Sequence, residues 1–221
     1  MSDVEIRVLD DPATEAAALL VEAARAGRRL ALSGGSTPGR AFELAVAAER
    51  DWSCASVWWG DERAVGPDDE RSNYRLAKEH LLDRLERGPD VHRIPGELGA
   101  PAAADAYEQE LDELVLDLAL NGIGPDGHTA SLFPGKPSLD ERERRVVAAE
   151  PGLEPFVPRI TLTIPAFNAI PVVVFLVTGE SKAAVVRRAF AEEPSKETPS
   201  SLVRGAERTV ALLDRSAGAY I

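Results

Sequence analysis

The stretch RLALSGGSTPG at residues 29–39 decides the fold class. A short apolar run, Arg29 to Leu32, stops at a glycine-rich turn, and Thr37 and Pro38 then offer a helix start. Proline suits the first helical position because its missing N–H would be unpaired there anyway. Strand, glycine turn, helix is the unit of a parallel α/β sheet. The same alternation continues on both sides. Val4 to Leu9 reads as a strand, and Pro12 and Thr14 open a helix with Ala16, Leu19, Leu20 and Ala23 on one face. After residue 39 comes a helix carrying Phe42, Ala45 and Val46, then a strand at Ser56 to Trp59. Ser72 is placed to cap a helix bearing Tyr74, Ala77, Leu81 and Leu85.

Further strands are expected at Val91–Ile94, Val115–Leu120, Arg159–Ile164, Val172–Val177 and Arg208–Leu213. Helices are expected from Pro101, and from about Ser181 to Ala191. The proline-rich segment from Pro151 to Pro158 reads as a loop. No repeat or linker divides the chain. The expectation is one α/β domain over residues 1–221, a Rossmann-like, mostly parallel sheet with helices on both faces.

Composition narrows the function. The 221 residues are 44% hydrophobic and 28% charged, enough apolar material for a real core. No apolar run approaches the ~18 residues needed to span a bilayer. The N-terminus shows no basic region followed by an apolar stretch, so a cytoplasmic protein is expected. Cys54 is the single cysteine and can make no intramolecular disulfide. The net charge of −12 repels nucleic acid, so no nucleic-acid partner is expected. An anionic substrate would need a local basic site built against this field.

Four polar segments fall where strands end, the position at which open α/β sheets bind ligands. Ser33–Thr37 carries glycines and a helix N-terminus, which suit a phosphate; the plainer reading is a tight turn with no ligand. It matches neither the dinucleotide fingerprint nor the P-loop. Lys182 follows a strand and Gly179, in the expected first turn of a helix, where a cation opposes the helix dipole unless an anion binds. Asp61-Glu62-Arg63 offers two acids and a planar donor. Adjacent strand residues face opposite ways, which argues against a glycosidase carboxylate pair. Arg159 opens a β run and has a structural reading as well as a binding one.

The sharpest signal is DGHTAS at residues 126–131. His80 and His92 sit in amphipathic surroundings that suggest surface roles, whereas His128 follows two glycine turns and precedes a short expected helix. A helix N-terminus disfavours positive charge, so the ring is expected as a neutral base, with Asp126 orienting it. A histidine that merely caps a turn is the alternative. There is no HExxH, no calcium-loop spacing and no GxSxG elbow, so no metal is expected and a serine nucleophile is disfavoured.

Taken in order, LALSGGSTPG (30–39), WWGDERAV (58–65) with RSNYRLAKEHLL (71–82), GIGPDGHTASLFPG (122–135), RITLTIPAFNAI (159–170) and VVVFLVTGESKAAVV (172–186) resemble the glucosamine-6-phosphate isomerase/6-phosphogluconolactonase family, on its lactonase side. The resemblance implies hydrolysis of 6-phospho-D-glucono-1,5-lactone in the oxidative pentose phosphate pathway. Water is then the co-substrate, no cofactor is needed, and the protein is a monomer or small homo-oligomer. It implies His128 as base beside Asp126. Gly34, Gly35, Ser36 and Thr37 would cradle the phosphate, helped by Arg63, Arg159 and Lys182. Backbone N–H groups around Gly124 to His128 are then candidates for holding the oxyanion. Two departures stand out: Asn121 where an aliphatic residue is expected, and a last strand, TVALLD, without an aromatic residue near its middle. The deaminases of the family carry a glutamate soon after the histidine. Here Thr129 to Pro134 supplies no acid, and the next is Asp140. A phosphosugar-sensing regulator would need a basic DNA-binding module, for which this acidic chain leaves no room.

Overall fold

A computed structural model describes residues 4–221, so residues 1–3 of the expected domain span lie outside the described residues. Seven parallel strands form the main sheet. They are β1 (Val4–Leu9), β2 (Arg29–Leu32), β3 (Ser56–Trp59), β5 (Asp90–Val91), β6 (Leu118–Asn121), β9 (Val172–Val177) and β10 (Arg208–Asp214), in the spatial order β1-β10-β9-β6-β2-β3-β5. β9 is buried from its second residue onward, as a Val- and Phe-rich strand covered on both sides should be.

The helices are α1 (Pro12–Arg25), α2 (Ser36–Ala48), α3 (Asn73–His80), α4 (Ala100–Leu111), α5 (Ile164–Ala169) and α6 (Ala183–Phe190). α1 and α2 pack against each other. The connections β2→β3 and β6→β9 leave their strands in opposite directions across the sheet. Right-handed crossovers therefore place the helices of the two halves on opposite faces. They also open a crevice between the carboxyl ends of β2 and β6, which are neighbours. No described helix is long and apolar enough to cross a membrane.

The expected strand at Arg159–Ile164 leaves the main sheet. A second, antiparallel sheet has the order β4-β8-β7, from β4 (Asp61–Arg63), β8 (Arg159–Leu162) and β7 (Val146–Ala149). Neither β4 nor β7 was expected as a strand. Asp61–Arg63 reads as a polar strand end, and only pairing with Arg159–Thr161 across nearly a hundred residues makes it β. α4 packs on β7 and β8, not on the main sheet alone.

Several boundaries move. The strand expected from Val115 begins at Leu118, because Asp117 instead accepts from the Arg29 backbone N–H at 2.9 Å and from its Nε at 2.8 Å. The short strand expected over Val91–Ile94 covers only Asp90–Val91. α3 stops at His80 and gives way to a 3-10 turn at Leu82–Arg84. Ser72 caps α3 as expected, its Oγ accepting from Arg75 N–H at 3.1 Å. α2 starts at Ser36, before Thr37 and Pro38. Its N-cap is Gly35 with φ 107°, a conformation that a side chain resists.

Candidate active site

The loop after β6 carries His128. No helix follows it, contrary to expectation. Gly127 and Ala130 both have positive φ, and Thr129 and Leu132 form an isolated antiparallel bridge. The loop closes on itself: Gly124 N–H donates to His128 O at 2.8 Å, Gly127 N–H to Gly124 O at 3.0 Å, and Thr129 Oγ to Gly122 O at 2.9 Å. The helix-dipole argument for a neutral ring therefore lapses. A different device orients the ring. Asp126 Oδ1 lies 2.5 Å from His128 Nδ1 and also accepts the His128 N–H at 3.1 Å. Phe133 packs on the ring with centroids 4.4 Å apart. A Cβ at Gly124 would sit 2.0 Å from the ring, so only glycine admits this pose. Half-burial pushes the Asp126 carboxyl up, but its hydrogen bond to His128 and that group's charge outweigh this, and the net is below the usual aspartate range.

Three of the loop N–H groups expected as oxyanion candidates are occupied. Those of Gly124, Gly127 and His128 are all spent on internal partners.

His128 lines a cavity of about 340 Å³ together with Ser33, Gly34, Gly35, Arg63, Arg159 and Lys182. A narrower extension of about 240 Å³ runs between Gly34–Pro38 and Ile123, Thr178 and Lys182. The expected site residues thus meet at the crevice between β2 and β6. They separate into two ends. Ser36, Thr37 and Lys182 line the narrow end, where the first turn of α2 presents N–H groups that have no partner within the helix. Arg63, Arg159 and His128 line the wide end. Thr37 does not cap α2; its Oγ lies 3.2 Å from Thr178 Oγ.

Lys182 sits in a 3-10 turn (Glu180–Lys182) before α6, and its Nζ donates to Ile123 O at 2.7 Å. Burial lowers its pKa, with Asp126 opposing. Arg159 is 4% exposed, and its Nη2 donates to Pro155 O at 3.0 Å. Burial and then the charge of Arg63, its direct cross-strand partner, press its pKa down. The Nε atoms of both arginines are buried without a hydrogen-bond partner. Two like charges lining one cavity suit an anion.

Glu62 and Asp61 part ways, as adjacent strand residues must. Glu62 is 2% exposed and accepts four bonds, from the N–H groups of Arg63, Asn73 and Tyr74 and from Ser72 Oγ, at 2.7–2.9 Å. Burial raises its pKa and these donors oppose the rise. Asp61 accepts from Ser131 Oγ at 2.6 Å. Asn73 and Ser131 were not foreseen as site residues. Asn73 reads locally as the first residue of a capped helix, and nothing nearby in sequence says that it meets Asp61. His80 and His92 are peripheral, pairing with Glu43 and Glu110. Asn121 is 1% exposed and its Nδ2 has no partner. Among the described residues no group of three or more His, Cys, Asp or Glu is arranged to hold a metal ion.

A sequence model of the family described as glucosamine-6-phosphate isomerases/6-phosphogluconolactonase matches residues 6–211. The 6-phosphogluconolactonase of Homo sapiens is 40% identical over 201 residues, covering 85% of this chain and 78% of that protein. The crystal structure of 6-phosphogluconolactonase from Leishmania guyanensis superposes with a TM-score of 0.83 at 30% identity, covering 98% of both chains. A monomeric glucosamine-6-phosphate deaminase superposes equally well, TM-score 0.85 over 100% of both chains, at 19% identity; that likeness speaks for the fold alone.

Proposed function

Because the chain belongs to the glucosamine-6-phosphate isomerase/6-phosphogluconolactonase family, we propose that it hydrolyses 6-phospho-D-glucono-1,5-lactone to 6-phospho-D-gluconate. The observation that carries this reading is one pairing. His128, anchored through Nδ1 to Asp126 at 2.5 Å, lines the cavity that also holds Gly34, Gly35 and Lys182.

The phosphate seats at the narrow end, against the first turn of α2 and Lys182. The lactone then extends toward His128. A carboxylate at Asp126 accepts a hydrogen bond from Nδ1–H, which keeps that proton on Nδ1 and leaves the lone pair on Nε2. Nε2 takes a proton from water as the water oxygen bonds to the lactone carbonyl carbon. The tetrahedral oxyanion meets the positive field of Arg63 and Arg159, which line the cavity beside His128. Collapse breaks the bond from the carbonyl carbon to the ring oxygen, and the ring oxygen takes the proton back from His128. No acid follows His128 until Asp140, which disfavours amine chemistry of the deaminase kind.

The test is an assay on freshly generated 6-phosphogluconolactone, corrected for spontaneous opening, with glucosamine 6-phosphate as control. Accelerated opening of the lactone is expected. Ammonia release from the control, with no lactonase rate above background, would reject the reading.

A further inference from the structure

We propose that Asn73 is a positioning residue, which sets the Arg63 guanidinium toward the substrate and is itself seated by the buried carboxylate of Glu62; this rests on the lactonase reading above. Asn73 is 1% exposed, yet it borders the cavity. Its Oδ1 accepts from Arg63 Nη1 at 2.5 Å. Its Nδ2 donates to Asp61 O at 2.9 Å and to Asp61 Oδ1 at 3.0 Å. The amide therefore uses both ends, one on the cation and one on the acid two residues before it. Its carbonyl oxygen also fills the space above Gly34, where an added Cβ would lie 1.8 Å away. Through Asp61 the chain of contacts reaches Ser131 at 2.6 Å, three residues beyond His128. One side chain thus touches the phosphate loop, the β4 arginine and, at one remove, the histidine loop.

Arg63 pairs directly across the strands with a second cation, Arg159. Two acceptors on Nη1, Arg71 O at 2.6 Å and Asn73 Oδ1, fix its guanidinium beside that like charge. Glu62 secures the arrangement from behind. It accepts the Asn73 and Tyr74 N–H groups, at the start of α3, where a carboxylate is favoured, and the Arg63 N–H as well. The backbone of both partners is pinned to one carboxylate, and their side chains then meet.

Two measurements test this. The first is the Nε–H resonance of Arg63 in solution, which needs no turnover. In Asn73→Ala it is expected to broaden or move; an unchanged resonance overturns the proposal. The second is kinetic, with Asn73→Ala, Arg63→Ala and the double variant. Asn73→Ala is expected to lower kcat about tenfold, as loss of a bond to a charged group that acts in the transition state does, and to leave KM within about threefold. The double variant is expected to be no worse than Arg63→Ala alone. Additive losses, or a rise in KM at constant kcat, overturn it. Should Asn73→Ala fail to fold, Arg63→Lys keeps the charge but loses the fork that Asn73 Oδ1 and Arg71 O hold, and the same fall in kcat is expected; wild-type kcat there is the contrary result. A wild-type protein without lactonase activity but with an Arg63 resonance that answers to Asn73→Ala rejects the function and keeps the positioning role.

Discussion

At the scale of single residues, His128 and Lys182 carry separable burdens. His128 is read as the base, and removing a general base typically slows a reaction ~10²–10⁴-fold. His128→Ala is expected to keep the circular dichroism spectrum of the wild type and lose most lactonase rate; activity unchanged above the spontaneous background would reject the assignment. Lys182 matters through its charge. Burial lowers its pKa below the usual lysine value of 10.5, with Asp126 opposing. The protonated form attracts phosphate, so affinity for 6-phosphogluconate is expected to fall as pH rises through that lowered value. Lys182→Met should remove this alkaline limb in a calorimetric titration. The sign for stability is opposite. Folding favours the neutral amine, so the charge costs stability at neutral pH, and Lys182→Met should leave the melting temperature equal or higher.

At the scale of elements, the loop after β6 does what a helix was expected to do. It fixes the ring by folding tightly upon itself, and Gly124 is where that tightness shows. An alanine Cβ there would lie 2.0 Å from His128 Cε1 and Nδ1 and 2.8 Å from Asp126 Oδ1. The pair must separate or turn. Misplacement by about 1 Å can cost ~10²-fold in rate, and Gly124→Ala is expected to lose kcat on that order while remaining folded. Wild-type kcat in that variant would show that this ring pose is not the reactive one. The small β4-β8-β7 sheet has a similar task. It carries Arg63 and Arg159 as directly paired residues, which is why two cations share one wall.

For the whole molecule, the crevice exists because β2 and β6 send their chains in opposite directions. A buried contact under one wall fixes the strand that leads into the site. Tyr107 on α4 is fully buried, and its hydroxyl accepts from Trp59 N–H at 2.8 Å and donates to Trp59 O at 3.1 Å. β5 pairs with β3 only through Ser56 and Val57, so the end of β3 relies on this hydroxyl. Tyr107→Phe leaves both backbone groups unpaired, and a loss of about 1–3 kcal/mol in urea unfolding is expected. No change in the unfolding midpoint would mean that the strand end finds other partners. The net charge of −12 acts at this scale too. A protein that repels anions overall binds one only where Arg63, Arg159 and Lys182 outweigh that field within a Debye length, about 10 Å at 0.1 M salt.

The sequence alone determined the parallel α/β order, the glycine turn after β2, the cap at Ser72 and the prominence of His128, because each is written in neighbouring residues. Apolar runs, glycines and capping side chains act over a few positions, and periodicity makes them legible. It did not yield β4 and β7, whose strand character comes from partners far along the chain, nor the true start of β6, moved by the Arg29–Asp117 contact. Asn73 over Gly34, and Glu62 beneath α3, stayed hidden for the same reason. Their meaning lies in contacts between segments that only the folded chain brings within hydrogen-bond reach, and a hydrogen bond between distant segments has no signature in sequence until both ends are in place.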